Sequence, residues 1–393
     1  MSVNRIHVLL ALAMFIVGTD GFVVAGVLES VARRTGVSVE AAGQLITAFA
    51  LAYAIAGPAA ASAFGRMDRK HFLLLSLAVF TAGNLFVALT ADYALLMAGR
   101  IVSAVGASGV TPAAVTIAGL ISPPERRGRA ISLVFSGLTV ATILGVPIGT
   151  YVSHALDYRL LFLCIAAGGA AMLMVLAASL TRLPPPPNVS FRERLAAVRM
   201  KGAPSTLLVT AVVFLSAFTV YSYVSAYFGG KGIAGGDRLS WILLAFGTGG
   251  AAGNLLGGRL TDRFGPRTTN IVSLLGLSLS FALLSLADTF FLALALTFGW
   301  GLCGWLLAPA QQHRLMTLGG ERAQTLISWN SSCMYLGIGL SGMTGALAIR
   351  LLGVSALTWA GGAGALLGAL LTWLLYAPRP ARPAERVLRR TDA

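Results

Sequence analysis

Two charged residues stand inside stretches otherwise built from small and apolar residues: Asp20, in Gly18-Thr19-Asp20-Gly21-Phe22, and Arg100, in Ala98-Gly99-Arg100-Ile101-Val102. A charge in such a setting costs about 2.5–3.5 kcal/mol on insertion scales and usually faces a cavity or a partner. Arg100 is the natural partner of Asp20. A buried carboxyl can take up and release a proton, because burial favours its neutral form and a neighbouring guanidinium favours its charged form, so a third group can tip the balance. The other reading is a static ion pair that braces the structure. Nothing in the chain reads as a catalytic triad. His7, His71, His154 and His313 show no metal-ligand spacing, and Cys164, Cys303 and Cys333 all sit in apolar runs as small core residues. The expectation is therefore no enzyme, no metal and no cofactor.

The elements that must position Asp20 and Arg100 follow from composition. Hydrophobic residues are 56% and charged residues only 11% of the 393-residue chain, and mean hydropathy is +0.81. A soluble domain carries about 25% charged residues, so the cover for a water-facing surface is missing and a lipid bilayer is the expected surround. The 46 glycines suit close helix approach in lipid. A net charge of +15 commonly signals nucleic-acid binding. Here the basic residues fall mostly in short gaps between apolar runs, which is the pattern of the positive-inside rule, and no nucleic-acid partner is expected.

A spanning helix needs about 20 apolar residues. Twelve runs qualify, near 6–28, 43–64, 71–90, 94–119, 129–153, 159–180, 206–228, 240–259, 269–287, 290–316, 325–348 and 352–376. With the N-terminus inside, the cytoplasmic gaps collect most of the Arg and Lys. Outside fall only Arg33, Arg34, Arg159, Lys231, Arg238 and Arg350, so both termini are expected in the cytoplasm. Asp20 and Arg100 then lie roughly eight and six residues from the outer ends of the first and fourth helices, within one turn in depth at about 1.5 Å per residue. The expected domains are a six-helix bundle over 1–182, a cytoplasmic linker over 183–204, a second bundle over 205–378 and a basic tail over 379–393. The linker opens with Pro184 to Pro187, a stiff spacer. Phe191, Leu195 and Val198 then share one face of a short helix lying on the inner membrane surface, with a solvated linker as the other reading.

Repetition marks the whole plan. Gly258-Arg259-Leu260-Thr261-Asp262-Arg263-Phe264-Gly265-Pro266-Arg267 is a charged hinge between two apolar runs, and Gly65-Arg66-Met67-Asp68-Arg69-Lys70 is a weaker copy in the first half. Twelve spans, cytoplasmic termini and a charged loop after the second and eighth helices resemble the major facilitator superfamily, whose loop reads Gly-x-x-x-Asp-Arg-x-Gly-Arg-Lys. Gly258, Asp262, Arg263, Gly265 and Arg267 match it. The first copy has two residues between Gly65 and Asp68 and lacks the inner Gly. Arg100 with Gly106 and Gly109 resembles the Arg-centred pattern of proton-coupled members. The fifth helix, with Gly137, Ala141, Gly145, Pro147 and Gly149, resembles the antiporter motif of drug:proton antiporters. Its Gly-Val-Pro form is similar to the chloramphenicol, arabinose-type and sugar efflux branch, although Glu29 stands where that branch carries Pro. Gly137, Ala141, Gly145 and Gly149 also form a smooth stripe at a spacing of four.

The resemblance implies an all-α integral membrane protein, with twelve transmembrane helices in two pseudo-symmetric six-helix bundles. It implies that the first and fourth helices line a central cavity and that the fifth packs between the two halves, blocking proton leak. The charged loops become a conformational latch on the outward-facing state, with Glu125 as a relay partner for Arg69 or Arg66 and the imperfect first copy as the looser one. Cavity candidates are polar or aromatic residues within apolar runs: Gln44, Tyr53, Tyr221, Tyr223, Trp305 and Asn330. Gly247 to Gly253 superficially looks like a nucleotide loop but reads better as helix packing. The expected function is proton-coupled efflux of amphipathic drugs, such as chloramphenicol-like compounds, by a monomeric multidrug-resistance antiporter in a bacterial inner membrane, driven by the proton gradient. Export of sugars or nucleosides, uptake by symport, and a transport-dead sensor are the other readings.

Overall fold

The computed structural model describes residues 3–184, 190–234 and 237–376. The expected tail at 379–393 and Pro185, Pro186 and Pro187 of the spacer lie outside them. The described chain is helical, and twelve segments are placed to cross a bilayer. The first four are Val3–Thr35, Val39–Ala63, Arg69–Leu89 and Tyr93–Ile121. The fifth runs from Arg127–Val140 through Ala141–Gly145 to Val146–Ala155, and the sixth is Tyr158–Ser179. The seventh is Ala203–Tyr221 followed by Val224–Gly230, and the eighth and ninth share Asp237–Ser285. The tenth to twelfth are Phe290–Gly319, Ala323–Leu352 and Ala356–Leu375. Side chains of Ser38, Asp68, Asp92, Asp157 and Thr289 cap helix N-termini and satisfy N–H groups that have no partner within the helix.

The duplication is visible in the packing. The first span packs on the fifth and sixth, the second on the fourth, and the third on the fourth and sixth; the same pairings recur six spans later. The bundles meet along two equivalent seams, second span to eleventh and fifth to eighth.

Glycine sets how close the helices come. A Cβ on Gly249, Gly253 or Gly257 would run into the carbonyl oxygens of Phe298, Leu302 and Leu306, one turn apart on the tenth span. Gly301 returns the fit against Phe246 O, and Gly247 faces Thr142 O across the seam to the fifth span. The Gly247–Gly253 run is thus a backbone groove.

The hinge between the eighth and ninth spans is narrower than the sequence suggests. Helix continues through Gly258 and Asp262, and the chain breaks at Gly265 alone, with φ 81° and ψ 163°. That conformation favours glycine, and Pro266 starts the next helix, where its missing N–H costs nothing. Gly65 has no positive φ. The linker helix forms at Phe191–Val198 with a Ser190–Glu193 capping box. Its buried anchor is Ala197, packed with Ala203, Leu315 and Leu326, while Leu195 is exposed and the Phe191 side chain lies outside the described set. Trp329 Nε1 donates to Arg194 O at 3.1 Å, so the helix docks on the second bundle rather than only on a surface.

Gly253→Val should cost at least about 1–3 kcal/mol, as overpacking does, and lower the melting temperature of the detergent-solubilised protein. Gly258→Ala, with no atom within 4 Å of the new Cβ, should melt no lower than wild type.

Candidate functional site

Asp20 and Arg100 meet. Arg100 Nη1 donates to Asp20 Oδ1 at 2.5 Å and Nη2 reaches Asp20 O at 3.4 Å. The side chains are 0% and 1% exposed. The Arg100 guanidinium lies 4.2 Å from the Phe49 ring centre on the second span and 5.7 Å from that of Phe162 on the sixth. Asp20 Oδ2 and Arg100 Nε have no hydrogen-bond partner among the described residues. Asn84 of the third span is also fully buried, and its amide donates to Phe80 O at 3.0 Å. Phe49 and Asn84 escaped the sequence reading: a Phe in an apolar run carries no signal, and a lone Asn carries little.

The six cavity candidates part company. Tyr53 stacks on Tyr335 of the eleventh span, with ring centres 3.7 Å apart and 22° between planes. The Tyr335 hydroxyl would sit 3.9 Å from a Cβ at Gly21, beside Asp20. Tyr221 donates to Phe22 O at 3.3 Å. Trp305 stands edge-on to Phe22 and Phe214, at 6.5 and 6.0 Å. Asn330 accepts from Thr210 Oγ1 at 2.7 Å within its own bundle. Tyr223 and Gln44 belong to a seam instead. Tyr223 sits where the seventh span breaks, wedged between Gly43 and Gly345, and its hydroxyl donates to Gly342 O at 2.7 Å. Gln44 Nε2 reaches the same carbonyl at 3.4 Å. A narrow aromatic cavity, lined by residues of the seventh, eighth and tenth spans including Phe214, Phe218, Phe246, Trp300 and Trp305, lies in the second bundle.

The fifth-span stripe faces a different partner from the expected one. Gly137 abuts Ala11 O, Gly145 abuts Thr19 Oγ1, Gly149 abuts Val23, and Ala141 abuts Gly18, all on the first span of the same bundle. The opposite flank, at Thr142 and Ile143 and on through Val146–Ala155, packs on the eighth span of the other half. Pro147 has no N–H for the Ile143 carbonyl, and Ala141–Gly145 takes up the change as a π turn in which Val146 N–H bonds Ala141 O.

The two charged loops differ. Asp68 caps the third span through Lys70 N at 2.9 Å and His71 N at 3.2 Å, and accepts from Leu183 N at 2.7 Å. Arg69 N donates to Leu183 O at 3.1 Å, Arg69 Nη2 to Gly65 O at 3.0 Å and Lys70 Nζ to Leu180 O at 2.6 Å. This copy is well tied to the end of the sixth span. In the second copy Asp262 and Arg263 are exposed, with Arg263 over its neighbour Phe264, and Arg267 alone reaches out, donating to Trp373 O at 2.7 Å. The first copy is therefore not the looser one. Its better tie comes from Asp68 sitting at a helix start, where free N–H groups converge, whereas Asp262 is inside a helix. Glu125 is exposed and forms no ion pair among the described residues, so the expected relay to Arg69 or Arg66 is not made here.

A family model described as Major Facilitator Superfamily matches residues 10–235 and 203–392. The chain belongs to the Major Facilitator Superfamily. It is 30% identical over 374 residues to the uncharacterized MFS-type transporter YbcL of Bacillus subtilis (strain 168), covering 95% of this chain and 96% of that one. It is 29% identical over 349 residues to the inner membrane transport protein YdhP of Escherichia coli (strain K12), covering 89% and 90%. A chloramphenicol resistance protein of Streptomyces lividans is 30% identical over 259 residues, covering 65% and 66%. In fold the chain is similar to a D-xylose-proton symporter, with TM-score 0.77, 18% identity and coverage of 96% and 98%. As a major facilitator protein it is a multi-pass membrane transporter for small molecules, not an enzyme.

Removing one partner of a buried ion pair costs about 3–5 kcal/mol because the other charge is left uncompensated. Arg100→Leu alone should lower the melting temperature strongly, and adding Asp20→Asn should recover much of the loss. The coupling is read from a double-mutant thermal cycle. At Asp68, desolvation opposes ionisation, but hydrogen bonds from the N–H groups of His71, Leu183 and Lys70, with the His71 ring beside it, outweigh this and hold the carboxyl below the ordinary carboxylate value. A depressed folded value means stabilisation that is complete above roughly pH 4 and fades as pH falls through the folded value. Asp68→Ala should cost about 1 kcal/mol at neutral pH, and its melting gap from wild type should close below that window.

Proposed function

We propose that this protein is a proton-coupled exporter of amphipathic small molecules that works by alternating access, with the arginine-rich loops and both termini in the cytoplasm. The observation that carries the reading is the fully buried Asp20–Arg100 pair, with one carboxylate oxygen that has no hydrogen-bond partner among the described residues. Protonating Asp20 removes the counter-charge of Arg100 while the guanidinium stays against Phe49. The packing around it then favours a different arrangement of the bundles. A proton drives such a change only by binding the two arrangements unequally, and a buried carboxyl that depends on a guanidinium neighbour for its charge is sensitive to how the two are placed in each arrangement.

The sidedness follows from the excess of Arg and Lys at one end of the bundle. The bonds of Tyr223, Gln44 and Tyr221 that tie the halves lie toward the opposite end, so this arrangement is closed to the outside. Drug-like substrates are supported by the aromatic walls and by the likeness to a chloramphenicol resistance protein. The Asp68–Leu183 tie holds the cytoplasmic end of the first bundle, joining the start of the third span to the chain after the sixth.

In proteoliposomes, Asp20→Asn should reduce pH-driven export to background while substrate binding stays within about threefold of wild type. Antiport at the wild-type rate would reject the proposal, and export of one sugar or nucleoside with no drug would move it to metabolites.

A further inference from the structure

Asp20 and Arg100 belong to one bundle, and a proton between them can move the other bundle only through a residue that touches both. The eleventh span supplies one. Tyr335 stacks on Tyr53 of the second span at 3.7 Å and stands at 52° to Phe49, 6.5 Å away. Phe49 holds the Arg100 guanidinium over its ring at 4.2 Å. The Tyr335 hydroxyl lies 3.9 Å from a Cβ position at Gly21, the residue that follows Asp20, and both Asp20 and Arg100 act on it electrostatically. Gly339 and Gly342 of the same span close on Leu51 and Thr47 of the second span, so a shift of Tyr335 carries the seam with it. The other groups facing Asp20 are few. Tyr53 is engaged in the stack, and Tyr221 of the seventh span already donates to Phe22 O. Asn84 of the third span donates to Phe80 O and keeps an Oδ1 that has no partner among the described residues.

We propose that Tyr335 is the residue through which the second bundle reads the proton on Asp20: once Asp20 is protonated, its Oδ2–H donates to the Tyr335 hydroxyl oxygen. The proposal rests on the proton-coupled reading and names the partner of its site in the other half. Oδ2 has no hydrogen-bond partner among the described residues. A proton placed there turns it into a buried donor, which is costly to leave unpaired. The proton stays on Asp20 and Tyr335 keeps its own, because a hydroxyl accepts through its lone pairs. Tyr335 is itself buried, so the new bond competes with little water. The bond is absent from the present arrangement, and forming it draws the eleventh span toward the first. A bond from Asp20 to Asn84 would satisfy the same donor within one bundle and leave the seam where it is.

The test uses the full-length protein in lipid nanodiscs, with no substrate and no pH gradient. Spin labels go on Leu89→Cys and Phe291→Cys, exposed positions at the outer ends of the third and tenth spans, after the three native cysteines are replaced. Double electron–electron resonance across a pH series then reads the distance between the halves. The labelled protein with Asp20 and Tyr335 intact should change distance with a single midpoint. Tyr335→Phe keeps the stack and loses the hydroxyl, and should move that midpoint about one pH unit lower, as loss of one hydrogen bond to the neutral carboxyl does. Asp20→Asn carries an uncharged donor at every pH. It should hold the low-pH distance throughout, and adding Tyr335→Phe should release it. Melting curves matching the parent separate these effects from misfolding. A pH-dependent distance whose midpoint Tyr335→Phe leaves unchanged overturns the proposal alone. A parent distance that ignores pH overturns the proton-coupled reading as well.

Discussion

In a bilayer the lipid tails wet a leucine as well as another helix does, so helices gain little by hiding apolar surface from each other. What holds them must come from close contact, and contact is limited by the nearest side chain. The glycines of this protein remove that limit where the helices cross. Gly249, Gly253 and Gly257 take the tenth-span backbone into a groove, and Gly137, Gly145 and Gly149 take the first span against the fifth. In the first bundle Gly83, Gly99 and Gly106 do the same for the third and fourth spans. Every side chain at the site is aimed by these crossings.

The ion pair depends on that framework. Asp20 comes from the first span, which the fifth-span glycines hold, and Arg100 from the fourth, which sits on the third. Neither charge reaches water, and Phe49 and Phe162 cover the guanidinium. The same Phe49 lies 6.5 Å from Tyr335 of the other bundle, and Tyr335 stacks on Tyr53. A change in the charge state of the pair is therefore in contact with the seam that separates the halves. The helix crossings on either side are tight, and the contact between the halves here is a stacked aromatic pair.

Much of this was readable from the chain. Asp20 and Arg100 could be matched because a helix converts residue count into depth. A hinge within Gly258–Arg267 was readable, but not that it narrows to Gly265, whose φ glycine takes easily. Other parts were not. Trp329 bonds the linker helix and Arg267 the end of the twelfth span through backbone carbonyls, and a carbonyl acceptor leaves no mark in the sequence. The π turn at Ala141–Gly145 and the break at Ser222-Tyr223 hide in runs that look like unbroken helix. Glu125 was paired with the first loop by analogy, and its side chain turns to the surface instead.

Membrane embedding, the number of spans and their duplication were determined by the sequence alone, because each span's hydropathy is a local property set against lipid. Which face of each span meets which neighbour was decided only by the tertiary structure. The fifth-span stripe fits the first span, Tyr223 wedges a seam rather than lining a cavity, and Trp300 is buried with an N–H that has no acceptor among the described residues. These outcomes depend on matching surfaces from segments far apart in the chain, and a stripe of small residues shows that a helix can come close without showing which one does.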